Sequence, residues 1–190
     1  YEVNEVDLPN IKYALAAYYI IMPAEVSTNL ARFDGVRYGL HVDGDNLMED
    51  YCKSRAKGFG AETRRRVMLG AYVLSAGYYD AYYGQAQWAR KLISSDFEKA
   101  FESGIDIILT PTSPTPAFKI GEKASNPIEM YLADIFTVTA NIAGVPAISI
   151  PMGTVTREAK ELPVGLHITA PYFSEDTLFY LSKQFLGEPL

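Results

Sequence analysis

The sequence predicts an α/β protein, and three observations support this class. Helical segments alternate with short apolar segments along the chain, with no repeat or flexible linker between them. Residues 105–110 form a short apolar segment of the kind that is buried in a mixed or parallel sheet. The 190 residues are 48% hydrophobic and 21% charged, which is typical of a globular protein with a substantial core. We therefore expect one domain over residues 1–190, with no internal boundary.

The first part of the chain predicts helices separated by turns. Residues 13–22 are apolar and rich in tyrosine, and Pro23 is expected to interrupt them before a short helix over residues 24–32. Residues 47–57 predict a further helix, which Gly58 ends because glycine favours the conformation found just after a helix.

Residues 57–87 contain three consecutive arginines at the start of an apolar helix. A helix N-terminus carries partial positive charge, so cations there need an anion, and Glu62 is expected to serve only one of them. Since apolar residues cover every direction of the helix, we expect it to be buried on all sides, with Arg66 pointing into the protein. Gly70 and Gly77 share the face of Arg66 and allow an element or a ligand to come close. A ligand clamp and a solvated rim of ion pairs are both compatible with this pattern.

The helical run is expected to break near residues 75–77 and to end after residues 97–101. The strand predicted at 105–110 then leads into the sequence TPTSPTP at 110–116, where the prolines favour an extended loop. Loops at the carboxyl ends of strands often bind ligands in α/β sheets, and the alternative is a rigid crossover.

A second informative helix is predicted over residues 126–143. Asn126 suits the N-cap and Pro127 the first helical position. Asp134 lies among apolar residues, where a carboxylate is costly unless a cation or several donors meet it. The alternative is a local hydrogen bond with the hydroxyl of Thr137.

The rest of the chain predicts two strands and one helix. The strands are expected at residues 145–151 and 162–171, and an amphipathic helix over residues 174–185 has Ser174 as its predicted N-cap.

Charge and cysteine content exclude several classes of protein. The formal net charge of −6 gives no surface for sequence-independent phosphate binding. The single cysteine, Cys52, rules out an intrachain disulfide framework and favours a reducing compartment. The two histidines, His41 and His167, are far apart in the sequence and predict no zinc site. No apolar run approaches the roughly 20 residues of a membrane span, so we expect a cytoplasmic protein.

Arg66 and Asp134 together favour a zwitterionic ligand. A free amino acid offers a carboxylate to a guanidinium and an ammonium group to an aspartate, and charge-assisted bonds of this kind each contribute about 1.5–3 kcal/mol.

Five segments of the sequence resemble, in collinear order, the amidase signature family, and within it the A subunits of tRNA-dependent amidotransferases. These segments are residues 25–39, 58–87, 108–118, 130–151 and 162–168. The resemblance covers the C-terminal half of such a protein. It implies an α/β fold in which a mixed β-sheet is covered by helices on both faces, and the chain is expected to be a fragment of a longer polypeptide.

The resemblance implies a glutaminase that supplies ammonia for the amidation of Glu-tRNA(Gln) or Asp-tRNA(Asn). It assigns Arg66 to the glutamine carboxylate, Asp134 to the amino group and Tyr18 to the wall of the same pocket. The implied partners are a B subunit, which uses ATP and Mg²⁺ and contacts the tRNA, and a small C subunit. No cofactor is expected on this chain.

The sequence departs from the family pattern in its catalytic groups. The family uses two serines in a Gly/Ser-rich segment and an upstream lysine, and none of these has a counterpart here, so we expect no catalytic residue in this chain and no activity from the chain alone. Two alternatives are a fragment of a stand-alone amidase that acts on another amide and a non-catalytic assembly module.

Overall fold

A computed structural model of the chain describes residues 2–122 and 127–187. The described chain forms two compact units, one built from residues up to Leu15 together with those from Ala89 onward, and the other from residues 16–88. The prediction of a single domain stays a prediction.

The helices are α1 (Ala14–Asn29), α2 (Leu47–Gly58), α3 (Ala61–Val73), α4 (Gln85–Glu102), α5 (Pro127–Tyr131), α6 (Thr137–Ala143) and α7 (Glu175–Leu186). The strands are β1 (Ile108–Pro111), β2 (Ala147–Arg157) and β3 (Lys160–Thr169).

Helix α1 runs through Pro23, so the predicted interruption is wrong. A proline inside a helix removes one backbone hydrogen bond and costs about 3 kcal/mol. Pro23 is almost fully buried, and its carbonyl lies against Gly70 of α3, so tertiary packing offsets this cost. A short 3₁₀ turn, Leu30–Arg32, follows the helix.

Helix α2 begins at the predicted residue and ends one residue later than predicted, because Gly58 is its last helical residue. The side chain of Asn46 caps it by accepting a 3.1 Å hydrogen bond from the backbone N–H of Glu49, and the helix ends at Gly58. Cys52 is exposed on this helix.

Helix α3 ends at Val73 and a turn follows, which confirms the predicted break. A π-helical segment, Tyr79–Gly84, then leads into α4, which carries the exposed Trp88 in its first turn. The expectation that α3 is buried on all sides is wrong. Only Gly70, which lies against α1, and Val73 are buried in it, whereas Met68 is 73% exposed.

The sheet has the strand order β1-β3-β2, and both of its strand pairs are antiparallel. Strands β2 and β3 form a hairpin with an irregularity between Pro151 and Gly153. Relative to the predicted segments, β2 starts two residues later and continues to Arg157, whereas β3 starts at Lys160 and ends two residues earlier. Glu158 and Ala159 make the turn with positive φ angles of 50° and 60°. Every strand pairing in the described part of the chain is antiparallel, which differs from the parallel or mixed pairing expected for residues 105–110.

One face of this sheet forms a hydrophobic core with helix α7. Ile150, Ile168 and Ala170 pack there with Leu178, which α7 contributes. Ser174 precedes α7 as predicted, but its side chain makes no capping hydrogen bond.

The helix predicted over residues 126–143 is divided into three parts. A 3₁₀ turn, Leu132–Asp134, separates α5 from α6, and Gly144 ends α6 with a φ of 80°. Asn126, the predicted N-cap, lies outside the described residues.

Candidate functional site

Arg66 projects from α3 and is partly buried, with 30% of its side chain exposed. Its Nε donates a 2.8 Å hydrogen bond to Oε1 of Glu62, one turn earlier on the same helix. Its Nη1 lies 3.3 Å from the sulfur of Met22 on α1. Since a thioether is a weak acceptor, this N–H group has a much poorer partner than a carboxylate would offer.

Tyr18 of α1 lies near Arg66 of α3, although the two are far apart in the sequence. Helices α1 and α3 meet at Gly70, where a Cβ atom would lie 1.9 Å from the carbonyl oxygen of Pro23. The absence of a side chain at Gly70 therefore permits the close approach that brings α1 next to the guanidinium. Of the two possibilities that the sequence left open for Gly70, the structure shows a neighbouring element.

The pKa of Arg66 reflects both its burial and these neighbours. Burial disfavours the charged form, but the hydrogen bond and the charge of Glu62, with a smaller contribution from the phenol of Tyr18, raise the pKa above its ordinary value. Arg66 is thus a permanent cation at any physiological pH.

Glu62 serves two arginines, and the expectation that it serves one is wrong. It accepts hydrogen bonds from both Arg65 and Arg66, because residues three and four positions later lie on its side of the helix. Arg64 and Arg65 are exposed, as expected for rim residues. Three guanidinium groups and one carboxylate leave this turn of α3 with a surplus of positive charge.

Asp134 belongs to the other unit and ends the 3₁₀ turn between α5 and α6. It is exposed rather than enclosed by apolar side chains, and its neighbours Leu132 and Ile135 are exposed as well. The hydroxyl of Thr137 donates to the backbone carbonyl of Asp134 at 3.2 Å and not to its carboxylate. Within the two described ranges the carboxylate has no ion pair, and it is accessible to a cationic group.

A second polar region, on the sheet, was missed by sequence reasoning. His167 on β3 is 5% exposed, and its Nδ1 lies 3.2 Å from the hydroxyl of Thr110 on β1. Thr112 and Ser149 share a 2.7 Å hydrogen bond that passes over Gly165, where a Cβ atom would lie 2.6 Å from the Thr112 hydroxyl. Only the strand register brings these groups together, since each is an ordinary residue in its own segment.

This polar region borders an open cavity of about 490 Å³. Helix α6, the turn after it and strands β2 and β3 line it, with the residues Thr137, Ala140, Asn141, Gly144, Val145, Ala147, Ile148, Ser149 and His167. Burial lowers the pKa of His167, so its imidazole is neutral near pH 7.

Neither a metal site nor a membrane span is found in the described part of the chain. Over residues 2–122 and 127–187, no group of three or more His, Cys, Asp or Glu side chains is placed to hold a metal ion. In the same ranges, none of the helices combines the length and the apolar character that crossing a membrane requires.

Known proteins resemble this chain over almost its whole length. The family described as Amidase matches residues 1–179. The A subunit of glutamyl-tRNA(Gln) amidotransferase from Nitrobacter hamburgensis is 61% identical over 183 residues, which cover 96% of this chain and 37% of that protein. The chain therefore spans little more than a third of the length of the curated relatives that it matches.

Solved structures also resemble this chain over almost its whole length. The crystal structure of the A subunit of glutamyl-tRNA(Gln) amidotransferase from Thermotoga maritima has a TM-score of 0.61 and 40% identity, over 92% of this chain and 32% of that one. The 6-aminohexanoate cyclic dimer hydrolase has a TM-score of 0.68 at 20% identity, over 97% of this chain and 37% of that one, a likeness of fold alone. The predicted α/β class and amidase fold are confirmed.

Proposed function

Because this chain belongs to the amidase family, we propose that it carries the glutamine-recognition part of the A subunit of a tRNA-dependent amidotransferase. The complete subunit hydrolyses glutamine, and the ammonia converts Glu-tRNA(Gln) to Gln-tRNA(Gln), or Asp-tRNA(Asn) to Asn-tRNA(Asn), in the cytoplasm. The parent enzyme is in this proposal a carbon–nitrogen ligase with glutamine as its amido donor.

The observation that carries this proposal is the environment of Arg66. Its guanidinium is partly buried and positively charged, lies beside Tyr18, and directs one N–H group at a thioether. A carboxylate that replaced the sulfur of Met22 as acceptor would gain a charge-assisted hydrogen bond, worth roughly 1.5–3 kcal/mol. The carboxylate of a glutamine substrate is such a group.

We assign the amino group of glutamine to Asp134. Its carboxylate is exposed and without an ion pair in the described part of the chain, so it is available to an ammonium group. The side chain of Tyr18 lines the pocket beside Arg66 in this assignment and contributes its phenol to the position of the guanidinium.

The partners follow from the same proposal. A B subunit uses ATP and Mg²⁺ to activate the carboxylate on the mischarged tRNA, and a small C subunit joins the A and B subunits. The tRNA is bound through the B subunit, in keeping with the net charge of −6 on this chain.

The proposal is tested by replacing Arg66 with lysine in the complete subunit. A lysine keeps the charge but not the planar fork of donors, so we expect KM for glutamine to rise about tenfold or more, while hydrolysis of small unsubstituted amides changes little. Arg65→Lys is the matched control, because Arg65 shares Glu62 but is exposed, and it should leave both activities unchanged.

Other outcomes would contradict specific parts of the proposal. Equal losses on glutamine and on small amides would assign Arg66 a role in folding. A complete subunit that hydrolyses small amides but not glutamine would be a stand-alone amidase. We also expect no glutamine hydrolysis by the 190-residue chain alone, and hydrolysis above the buffer rate would contradict the assignment of all catalytic groups to residues outside it.

A further inference from the structure

We propose that Arg90 of α4 is a positioning residue for Asp134: it holds helix α6 at its last turn, and α6 in turn fixes the place of the carboxylate. The inference rests on the proposed function, in which Asp134 binds the amino group of glutamine, and it adds a residue that determines where this carboxylate lies. Arg90, α6 and Asp134 all belong to the same unit of the chain.

The last turn of α6 is held by side chains from outside the helix. Nε of Arg90 donates a 3.0 Å hydrogen bond to the carbonyl of Ile142, and the hydroxyl of Tyr172 donates one of 2.9 Å to the carbonyl of Ala143. The final carbonyls of a helix have no partner within the helix and carry partial negative charge, so a guanidinium there both satisfies a carbonyl and is attracted to it. Because Ile142 and Ala143 are only 4% and 5% exposed, water competes little for these carbonyls.

Helix α6 carries this constraint to its other end because it is short and largely buried. It has seven residues, or about two turns, and its Val138 and Ala140 are 2% and 4% exposed. Backbone hydrogen bonds join its turns and close packing holds its buried face, so a shift at the last turn is passed on to the first.

Asp134 is tied to the start of α6 through its backbone. Thr137, the first residue of α6, donates from its hydroxyl to the carbonyl of Asp134 at 3.2 Å. The carboxylate of Asp134 makes no ion pair within residues 2–122 and 127–187, so its place depends on the backbone that carries it. The contacts therefore run from Arg90 through α6 to Asp134.

The test compares two substrates that differ only at the group that Asp134 is proposed to bind. Glutaramate, the monoamide of glutaric acid, is glutamine without its amino group and keeps both the carboxylate and the amide. We measure kcat/KM for both with the complete subunit, and the ratio of the two values is the selectivity for the amino group. Asp134→Asn removes the charge and should lower this selectivity about 10–100-fold, the range expected for one charge-assisted hydrogen bond.

We expect Arg90→Met to lower the selectivity about tenfold through a higher KM for glutamine, and to leave kcat/KM for glutaramate little changed. Arg90→Gln should restore most of the selectivity, because the amide nitrogen of the introduced side chain is as many bonds from the backbone as Nε of arginine and can donate to the carbonyl of Ile142. In the Asp134→Asn background, Arg90→Met should lower the selectivity no further.

Tyr172→Phe is a milder variant that removes a single hydroxyl, so it tests the same turn of α6 with little risk to folding. We expect it to lower the selectivity about threefold or less, since the hydroxyl of Ser94 remains 3.4 Å from the carbonyl of Ala143.

Arg55→Met is the matched control. Nη1 of Arg55 donates a 2.9 Å hydrogen bond to the carbonyl of Leu30, at a helical turn of the other unit, so the variant removes a similar bond far along the chain from Asp134. It should leave the selectivity unchanged.

Several results would overturn the inference. Equal losses on glutamine and glutaramate in Arg90→Met would make Arg90 a purely structural residue, as would a loss of selectivity in Arg55→Met as large as that in Arg90→Met. A further loss when Arg90→Met is added to Asp134→Asn would show that Arg90 does not act through this carboxylate.

The Asp134→Asn variant separates this inference from the proposed function. Unchanged selectivity in Asp134→Asn would remove the assignment of Asp134 to the amino group, and with it this inference. Selectivity that is lost in Asp134→Asn but kept in Arg90→Met and Tyr172→Phe would remove this inference alone.

Discussion

The two units of the chain present polar groups in opposite ways. In residues 16–88 the candidate site carries charge and lies on helices, with Arg66 and Glu62 one turn apart on α3. In the other unit, which contains the sheet, the cavity is lined by neutral groups, and His167 lies between Thr110 and Ser149 on the two neighbouring strands. The charged site depends on one close helix contact, whereas the neutral site depends on the register of three strands.

The largest expected effect tests the helix contact. Gly70→Ala places a Cβ atom 1.9 Å from the backbone carbonyl of Pro23, and neither helix backbone moves easily. We expect the free energy of unfolding to fall by about 3 kcal/mol in urea titrations. Gly58→Ala is the control, since its Cβ atom meets Leu40 at an ordinary 3.8 Å and its cost should be near zero. Similar values for the two variants would show that α1 and α3 do not depend on this contact.

A smaller effect is expected in the sheet. Gly165→Ala brings a Cβ atom to 2.6 Å from the Thr112 hydroxyl and 2.7 Å from that of Ser149. Because hydroxyl groups yield more easily than backbone, we expect a loss of about 1–2 kcal/mol. Adding Ser149→Ala should recover part of that loss in a double-mutant cycle. Additive losses would mean that the two hydroxyl groups do not meet over Gly165.

The pH dependence of the free energy of unfolding tests whether the buried ring of His167 is neutral in the folded chain. Burial places the folded pKa of His167 below the ordinary 6.5, so the unfolded chain binds the proton more readily. The stability contribution of the neutral ring is therefore complete above about pH 6.5 and is lost as the pH falls below it, with a slope of at most about 1.4 kcal/mol per pH unit. The groups on the neighbouring strands and on α6 that line this region, Thr110, Ser149, Asn141 and Thr137, carry no charge.

Urea titrations between about pH 5 and pH 8 measure this dependence. His167→Gln should flatten the slope, and His41→Gln should not, because His41 is exposed. An unchanged slope in the His167 variant would contradict a burial effect on this ring.

The smallest effect concerns the hairpin turn. Ala159 has a φ of 60°, which favours glycine, so Ala159→Gly should raise the free energy of unfolding by about 0.5–1 kcal/mol. The same change at the exposed Ala71 in α3 should lower it by about 1 kcal/mol, since glycine is a poor helix former. If both substitutions changed the free energy of unfolding in the same direction, the left-handed geometry of the turn would be contradicted.

Sequence reasoning predicted the features that depend on neighbours along the chain. The start of α2, the end of α3 and the start of α5 follow from caps, glycines and Pro127, all of which act locally. Tyr18 and Arg66 were assigned by family resemblance, and the structure brings them together. Their role in binding glutamine, like that of Asp134, stays a prediction.

Features that depend on distant contacts were not predictable in this way. Pro23 was expected to break α1, but the contact that offsets its cost is made by Gly70 of another helix and gives no local signal. The cavity was missed because Thr110, Ser149 and His167 belong to three separate segments, and only their antiparallel register makes them neighbours. A pattern of small polar residues at equivalent positions of adjacent predicted strands is the one signal that the sequence offered.

The composition of the unit formed by residues 16–88 also provides an optical probe. The chain has one cysteine and one tryptophan, Cys52 on α2 and Trp88 on α4, and both are exposed within residues 16–88. A fluorescent acceptor attached to Cys52 forms an energy-transfer pair with the indole of Trp88 without any engineered residue. Transfer efficiency then follows the opening of this unit alone, so its comparison with a signal from the whole chain in one denaturation series distinguishes concerted from stepwise unfolding.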